Sequence, residues 1–354
     1  MKKIISTISL FFAAVISFAQ PQDQITYYSG IDFNLNGQLL KNALATKITN
    51  THRNNISYSE VWTALKSTDV NPNNNNEVIL LYGHPNTTSG IYSRTRGKNN
   101  NGGNSGQWNR EHTFAKSLGN PDLGETGPGA DAHHLRPTDV QLNNSRGNRK
   151  FATGSGNSGS VGSNWYPGDE WKGDVARMMM YMYLRYGNQC KPTDIGIGNI
   201  SSSFDQMIDL FLQWNAEDPV SVIEDQRNTY LVNRNNSAGQ GNRNPFIDNP
   251  YLATKIWGGP TAQDRWGINL SDNDIDAIAF GIYPNPAIDN KVFIQTTELI
   301  NTILIHSIDG KLVQQINNPQ FENHQFEINN LNSGFYIITL KSENKTTAKK
   351  LIVK

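Results

Sequence analysis

Residues 108–151 hold the side chains best placed to do chemistry. The stretch opens WNREHTFAKS and, after an acidic, Gly-rich connection, continues GADAHHLRPTDVQLNNSRGNRKF. Its two marks are the adjacent Glu111–His112 pair and a later segment rich in Asn and Arg. A histidine that takes a proton from water, beside hard oxygen ligands for a divalent cation, is the minimum equipment for hydrolysing a phosphodiester. The downstream arginines suit the task of holding phosphate oxygens.

The elements around these residues must bring them together. Adjacent strand residues point to opposite faces, so Glu111 and His112 reach one site only where the strand ends, twists or bulges. Leu40, Leu44 and Ile48 recur at helical spacing. Ser57 to Glu60 reads as a capping box ahead of Val61, Trp62 and Leu65. Val78 to Tyr82 reads as a short buried strand. Trp171, Val175, Met178, Met179 and Met182 predict a helix ended by Gly187. Phe204, Met207, Ile208 and Phe211 predict another, and Asp218–Pro219 reads as the N-cap and first residue of the next. In the irregular stretch 239–250, Asn242, Arg243 and Asn244 either support the site or only form turns. Trp108, Trp165, Tyr166 and Trp171 are able to stack on bases, with burial as the commoner fate. The expected fold class is α+β, with residues 20–270 forming one mainly helical domain.

The two ends read differently. Residues 1–19 have a charged start, an apolar run and the small-x-small site Ser17-Phe18-Ala19, which together make a cleaved signal peptide. No later run is long and apolar enough to span a membrane. Residues 271–280 read as an acidic linker. Residues 281–354 show short alternating segments separated by Asp-Gly and Ser-Gly turns, the pattern of a small antiparallel β-sandwich. YPNPA at 283–287, IDGKLV at 308–313, LNSGFYIITL at 331–340 and the KKLIVK ending resemble the C-terminal sorting domain of proteins exported by the type IX secretion system. The resemblance implies an export address, the secretion machinery as partner, and a protein secreted or held at the cell surface after signal-peptide export to the periplasm.

Lys and Arg number 31 and so do Asp and Glu, a balance unlike that of a nucleic-acid binder, so any polyanion site is expected to be a local cluster. Arg136, Arg146, Arg149 and Lys150 form one candidate, and Arg94, Arg96 and Lys98 another. A bound divalent cation adds charge where it counts. A single cysteine, Cys190, excludes an intramolecular disulfide. The chain has no HExxH zinc-protease motif, no nucleophile elbow and no complete tetrahedral zinc set.

The region 25–250, and 108–151 most specifically, resembles the endonuclease I family of exported bacterial nucleases, which carry a ββα-metal finger in a mainly helical body. The resemblance makes His112 the general base and Glu111 a metal ligand. The second ligand aligns with Asn143, with Asn144 the alternative across a doubled Asn. Some members bear a phosphate-contacting Arg in an insertion after the Glu-His pair. Residues 113–130 contain no Arg, so Arg136, Arg146 or Arg110 is expected to supply that charge. Mg²⁺ is the expected ion, with Ca²⁺ or Mn²⁺ as alternatives. The resulting expectation is a monomeric, sequence-nonspecific endonuclease acting on DNA, and on RNA as an alternative substrate, that leaves 5′-phosphate and 3′-hydroxyl ends. The rival reading is a non-catalytic surface protein that binds polyanions or matrix.

Overall fold

The computed structural model describes residues 20–268, 278, 280–288, 291–308, 310–342 and 346–354. The signal peptide at 1–19 lies outside the described residues, as do most of the linker and Asp309 of the Asp-Gly turn. The chain divides into two compact units between Gly267 and Ile268. Among the described residues no helix is long and apolar enough to cross a membrane.

The first unit mixes helices, short strands and long loops, and helix is the minority of its residues. This corrects the expectation of a mainly helical body. Its Asn- and Gly-rich stretches stop helices early, because Asn side chains satisfy turns and Gly favours non-helical backbone. The helix Gly37–Thr51 buries Leu40, Leu44 and Ile48 on one face. In the predicted capping box, Glu60 N donates to Ser57 Oγ at 3.2 Å and Ser57 N to Glu60 Oε2 at 2.7 Å, and the helix Val61–Thr68 follows. The helix Lys172–Tyr186 is buried nearly all round and ends at Gly187, whose φ of 56° suits glycine.

Two boundaries fall elsewhere. The helix expected around Phe204 begins at Asp209, leaving Phe204 to Ile208 outside it. The one after it begins at Val222, capped by a reciprocal Ser221–Glu224 box rather than by Asp218. Asp218 instead accepts from Gly173 N at 2.8 Å.

An antiparallel hairpin joins the strands Trp108–His112 and Leu135–Asp139, with Glu111 opposite Arg136 and His112 opposite Leu135. The helix Val140–Arg146 follows at once. Asp139, last residue of the second strand, caps it by accepting from Gln141 N at 2.7 Å and Leu142 N at 3.2 Å. Trp108 and Leu135 pack with Val61, Leu65, Val78 and Leu231 in one apolar cluster, which fixes the hairpin to the body.

The second unit is a seven-stranded sheet. The strands 312–317, 302–307, 334–341 and 346–353 form one antiparallel half, and 281–288, 291–295 and 325–328 the other. A parallel contact of Val353 with Ala287 joins the halves. The expected antiparallel sandwich is thus one continuous sheet with a parallel seam. Val292, Ile294 and Ile328 from one half and Ile303, Ile338 and Leu351 from the other still share a single core.

Candidate active site

Alternation along the strand Trp108–His112 puts Asn109 and Glu111 on one face and Arg110 and His112 on the other. On the following helix, Asn143 and Arg146 are three residues apart and share a face. The two faces meet. Asn143 Nδ2 donates to Asn109 Oδ1 at 2.8 Å, and Arg146 Nη1 donates to Glu111 Oε1 at 3.1 Å. Asn143 is half-buried against the strand, whereas Asn144 is exposed.

Glu111 is buried, and its Oε1 also accepts from the Tyr82 hydroxyl at 3.1 Å. Burial raises its pKa to about 7, against the pull of Arg146 and these hydrogen bonds. Among the described residues no hydrogen bond reaches Glu111 Oε2 or Asn143 Oδ1. A carboxylate oxygen and an amide oxygen on facing elements are a hard donor set, suited to a divalent cation that keeps most of its waters.

His112 is the last residue of its strand, which is where an adjacent pair can serve one site. Its Nε2 lies 2.9 Å from the carbonyl oxygen of Gly129, so Nε2 carries the proton and Nδ1 the lone pair. Gly129 is spatially enforced. A Cβ there would lie 2.0 Å from Gly124 O. Burial lowers the His112 pKa to about 4, partly offset by the Gly129 bond, and the nearby charges of Lys116, Arg110 and Arg146 lower it further. The imidazole is therefore neutral at neutral pH and available as a base.

Arg136 and Arg146 are where the structure departs most from the expected site. Both are buried. Arg136 Nε donates to Asp69 at 2.6 Å and Nη1 to Asp174 at 2.9 Å, within a network that Arg227 also enters. Arg146 donates to Glu111, to the His112 carbonyl at 2.9 Å and to the Thr113 carbonyl at 2.8 Å. These guanidiniums build the hairpin and do not face solvent, so the phosphate-holding role expected of them needs another cation. In the second candidate cluster, Arg94 pairs with Glu170 and Arg96 with Asp139.

Lys116 went unnoticed in the sequence. It follows the Glu-His pair, its side chain is more than a third exposed, and among the described residues its ammonium pairs only with Glu125, at 3.5 Å. Of the positive charges acting on His112, it has the largest effect. A cation in the loop directly after Glu-His was the signal that a search restricted to Arg passed over.

The buried polar residues nearby build the base of the hairpin. Asp131 accepts from the Tyr181 and Tyr186 hydroxyls at 2.8 Å each and from Gln240 Nε2 at 3.0 Å. His133 contacts the Asn242 carbonyl at 3.2 Å and His134 the Pro128 carbonyl at 2.7 Å. Arg243 pairs with Asp248, and Asn244 caps the short helix that follows. Loop 239–250 thus supports the site indirectly. Trp108, Trp165, Tyr166 and Trp171 are all buried and offer no stacking platform.

The family model described as Endonuclease I matches residues 36–251. The chain belongs to the endonuclease I family. A second model, a secretion system C-terminal sorting domain, matches residues 281–354. An extracellular ribonuclease of Bacillus subtilis is 43% identical over 259 residues, covering 69% of this chain and 84% of the relative. An extracellular ribonuclease of Bacillus amyloliquefaciens is 42% identical over 245 residues, covering 66% and 79%. This member of the endonuclease I family is a nuclease that is secreted or displayed at the cell surface through a type IX sorting domain.

Proposed function

We propose that the chain is a divalent-cation-dependent, sequence-nonspecific endonuclease that hydrolyses DNA and RNA, leaving 5′-phosphate and 3′-hydroxyl ends. The observation that carries this reading is the meeting of the Asn109–Glu111 strand face with the Asn143–Arg146 helix face, beside a histidine whose Nε2 is held by Gly129. Both Bacillus relatives are named ribonucleases, which supports RNA as a substrate.

In this reading Glu111 and Asn143 hold Mg²⁺, with Ca²⁺ or Mn²⁺ as substitutes. When bound, the cation offsets negative charge on the phosphate and the departing 3′ oxygen. His112 Nδ1 takes a proton from the attacking water. The anionic phosphate beside it raises the imidazole pKa toward the useful range. Lys116 contacts a phosphate oxygen from solvent. Water attacking phosphorus while the 3′ oxygen leaves yields a 5′-phosphate and a 3′-hydroxyl. The enzyme acts as a monomer. Residues 1–19 direct export to the periplasm, 271–280 link the nuclease domain at 20–270 to the sorting domain, and 281–354 address the chain outward.

The test is cleavage of supercoiled plasmid and of a structured RNA by the purified chain, followed by end analysis. Products that accept ligation at a 5′-phosphate and extension from a 3′-hydroxyl support the reading. A 2′,3′-cyclic phosphate on RNA refutes it, because that product requires attack by the ribose rather than by water.

A further inference from the structure

Tyr58 sits in the capping-box turn, a motif that ordinarily only starts a helix. Its ring stacks on His112, with centroids 5.3 Å apart and planes 24° apart. The Arg110 guanidinium carbon lies 3.6 Å from the Tyr58 ring centroid and 4.2 Å from that of Trp62. Arg110 Nη1 also donates to the Tyr58 carbonyl, so one guanidinium holds both the backbone and the ring. Trp62 in turn meets buried Trp108 edge-on at 5.1 Å. This run of contacts ties the His112 ring to the apolar core. His134, the other ring near His112, is 5.7 Å away and tilted by 52°, and so does not stack.

We infer that Tyr58 is a positioning residue for His112. The Gly129 carbonyl fixes which nitrogen carries the proton but leaves the ring free to tilt about that bond. A flat partner removes the tilt and keeps Nδ1 aimed at one point. The inference rests on the reading of His112 as general base. The phenol oxygen is dispensable, since among the described residues no hydrogen bond is made to it. Orientation acts on the chemical step, so its loss appears in kcat while substrate binding is left alone.

The experiment measures kcat and KM on plasmid DNA for wild type and for the Tyr58→Phe, Tyr58→Leu and His112→Ala variants, and for the Tyr58→Leu/His112→Ala double variant, after thermal melts confirm folding. Tyr58→Phe is expected within about twofold of wild type. Tyr58→Leu is expected to lower kcat by about 10- to 100-fold with KM nearly unchanged. In the His112→Ala background, Tyr58→Leu is expected to cost nothing further, because it acts only through that ring. If Tyr58→Leu melts below the assay temperature, Tyr58→Gln takes its place. A loss confined to KM, an equal loss in Tyr58→Phe, full activity in the Leu variant, or an added loss in the double variant each overturns the inference. Wild-type activity in His112→Ala instead marks failure of the general-base reading itself.

Discussion

Arg146 Nη1 lies 3.1 Å from Glu111 Oε1 and 2.9 Å from the His112 carbonyl oxygen, so one buried guanidinium binds the Glu-His pair to the helix that carries Asn143. Lysine cannot reproduce that fork. Arg146→Lys is expected to lower kcat by about 100-fold and to lower the melting temperature. The salt dependence of substrate binding should not change. A shallower salt slope would mean that Arg146 meets phosphate after all.

Arg136 gives the complementary case. It bridges Asp69 and Asp174 with every partner buried. Arg136→Gln leaves two carboxylates short of a partner, at a cost of about 3–5 kcal/mol. Calorimetry is expected to show a fall of about 10 °C in melting temperature. An unchanged melting temperature with raised KM would contradict the structural role.

In the proposed reading Lys116 meets substrate from the solvent side. Lys116→Ala is expected to raise KM several-fold and to reduce the slope of log affinity against log salt by about one, with kcat little affected. Binding titrations in Ca²⁺ at several salt concentrations test this. No change in slope would remove Lys116 from the phosphate.

The pH dependence follows from Glu111. Its pKa is raised to about 7, so a proton competes with the cation below that pH, and the carboxylate is free above it. His112, lowered to about 4, stays neutral across this window. The acid limb of activity is therefore expected near pH 7 at low Mg²⁺ and is expected to move to lower pH as Mg²⁺ is raised. A limb that ignores Mg²⁺ concentration would assign it to another group.

Much of this was legible in the chain. Leu40, Leu44 and Ile48 read as a helix face because helical burial repeats every three to four residues, and Gly187 read as a helix end because glycine readily takes the positive φ of a helix terminus. The Glu-His pair stood out in the chain as side chains able to do chemistry, whereas the roles given to Asn143 and Asn144 came from the family resemblance. Arg136 and Arg146 misled because a sequence shows charge but not burial. Buried carboxylates at Asp69 and Asp174, distant along the chain, claimed Arg136. The roles of Gly129 and Tyr58 are set by tertiary approach, a carbonyl placed by a loop and a ring placed by a turn, which no local pattern encodes. The helix start at 222 slipped because Ser221–Glu224 completes a reciprocal box that Asp218–Pro219 cannot.

The most direct measurement is plasmid nicking by the purified chain in Mg²⁺ and in EDTA, for wild type and for Glu111→Gln, Asn143→Ala, Asn144→Ala and His112→Ala. The account predicts cleavage by wild type in Mg²⁺ only, and by Asn144→Ala at close to its rate. It predicts losses of about 10²- to 10⁴-fold for the other three. Cleavage that persists in EDTA, or that survives His112→Ala, would contradict it.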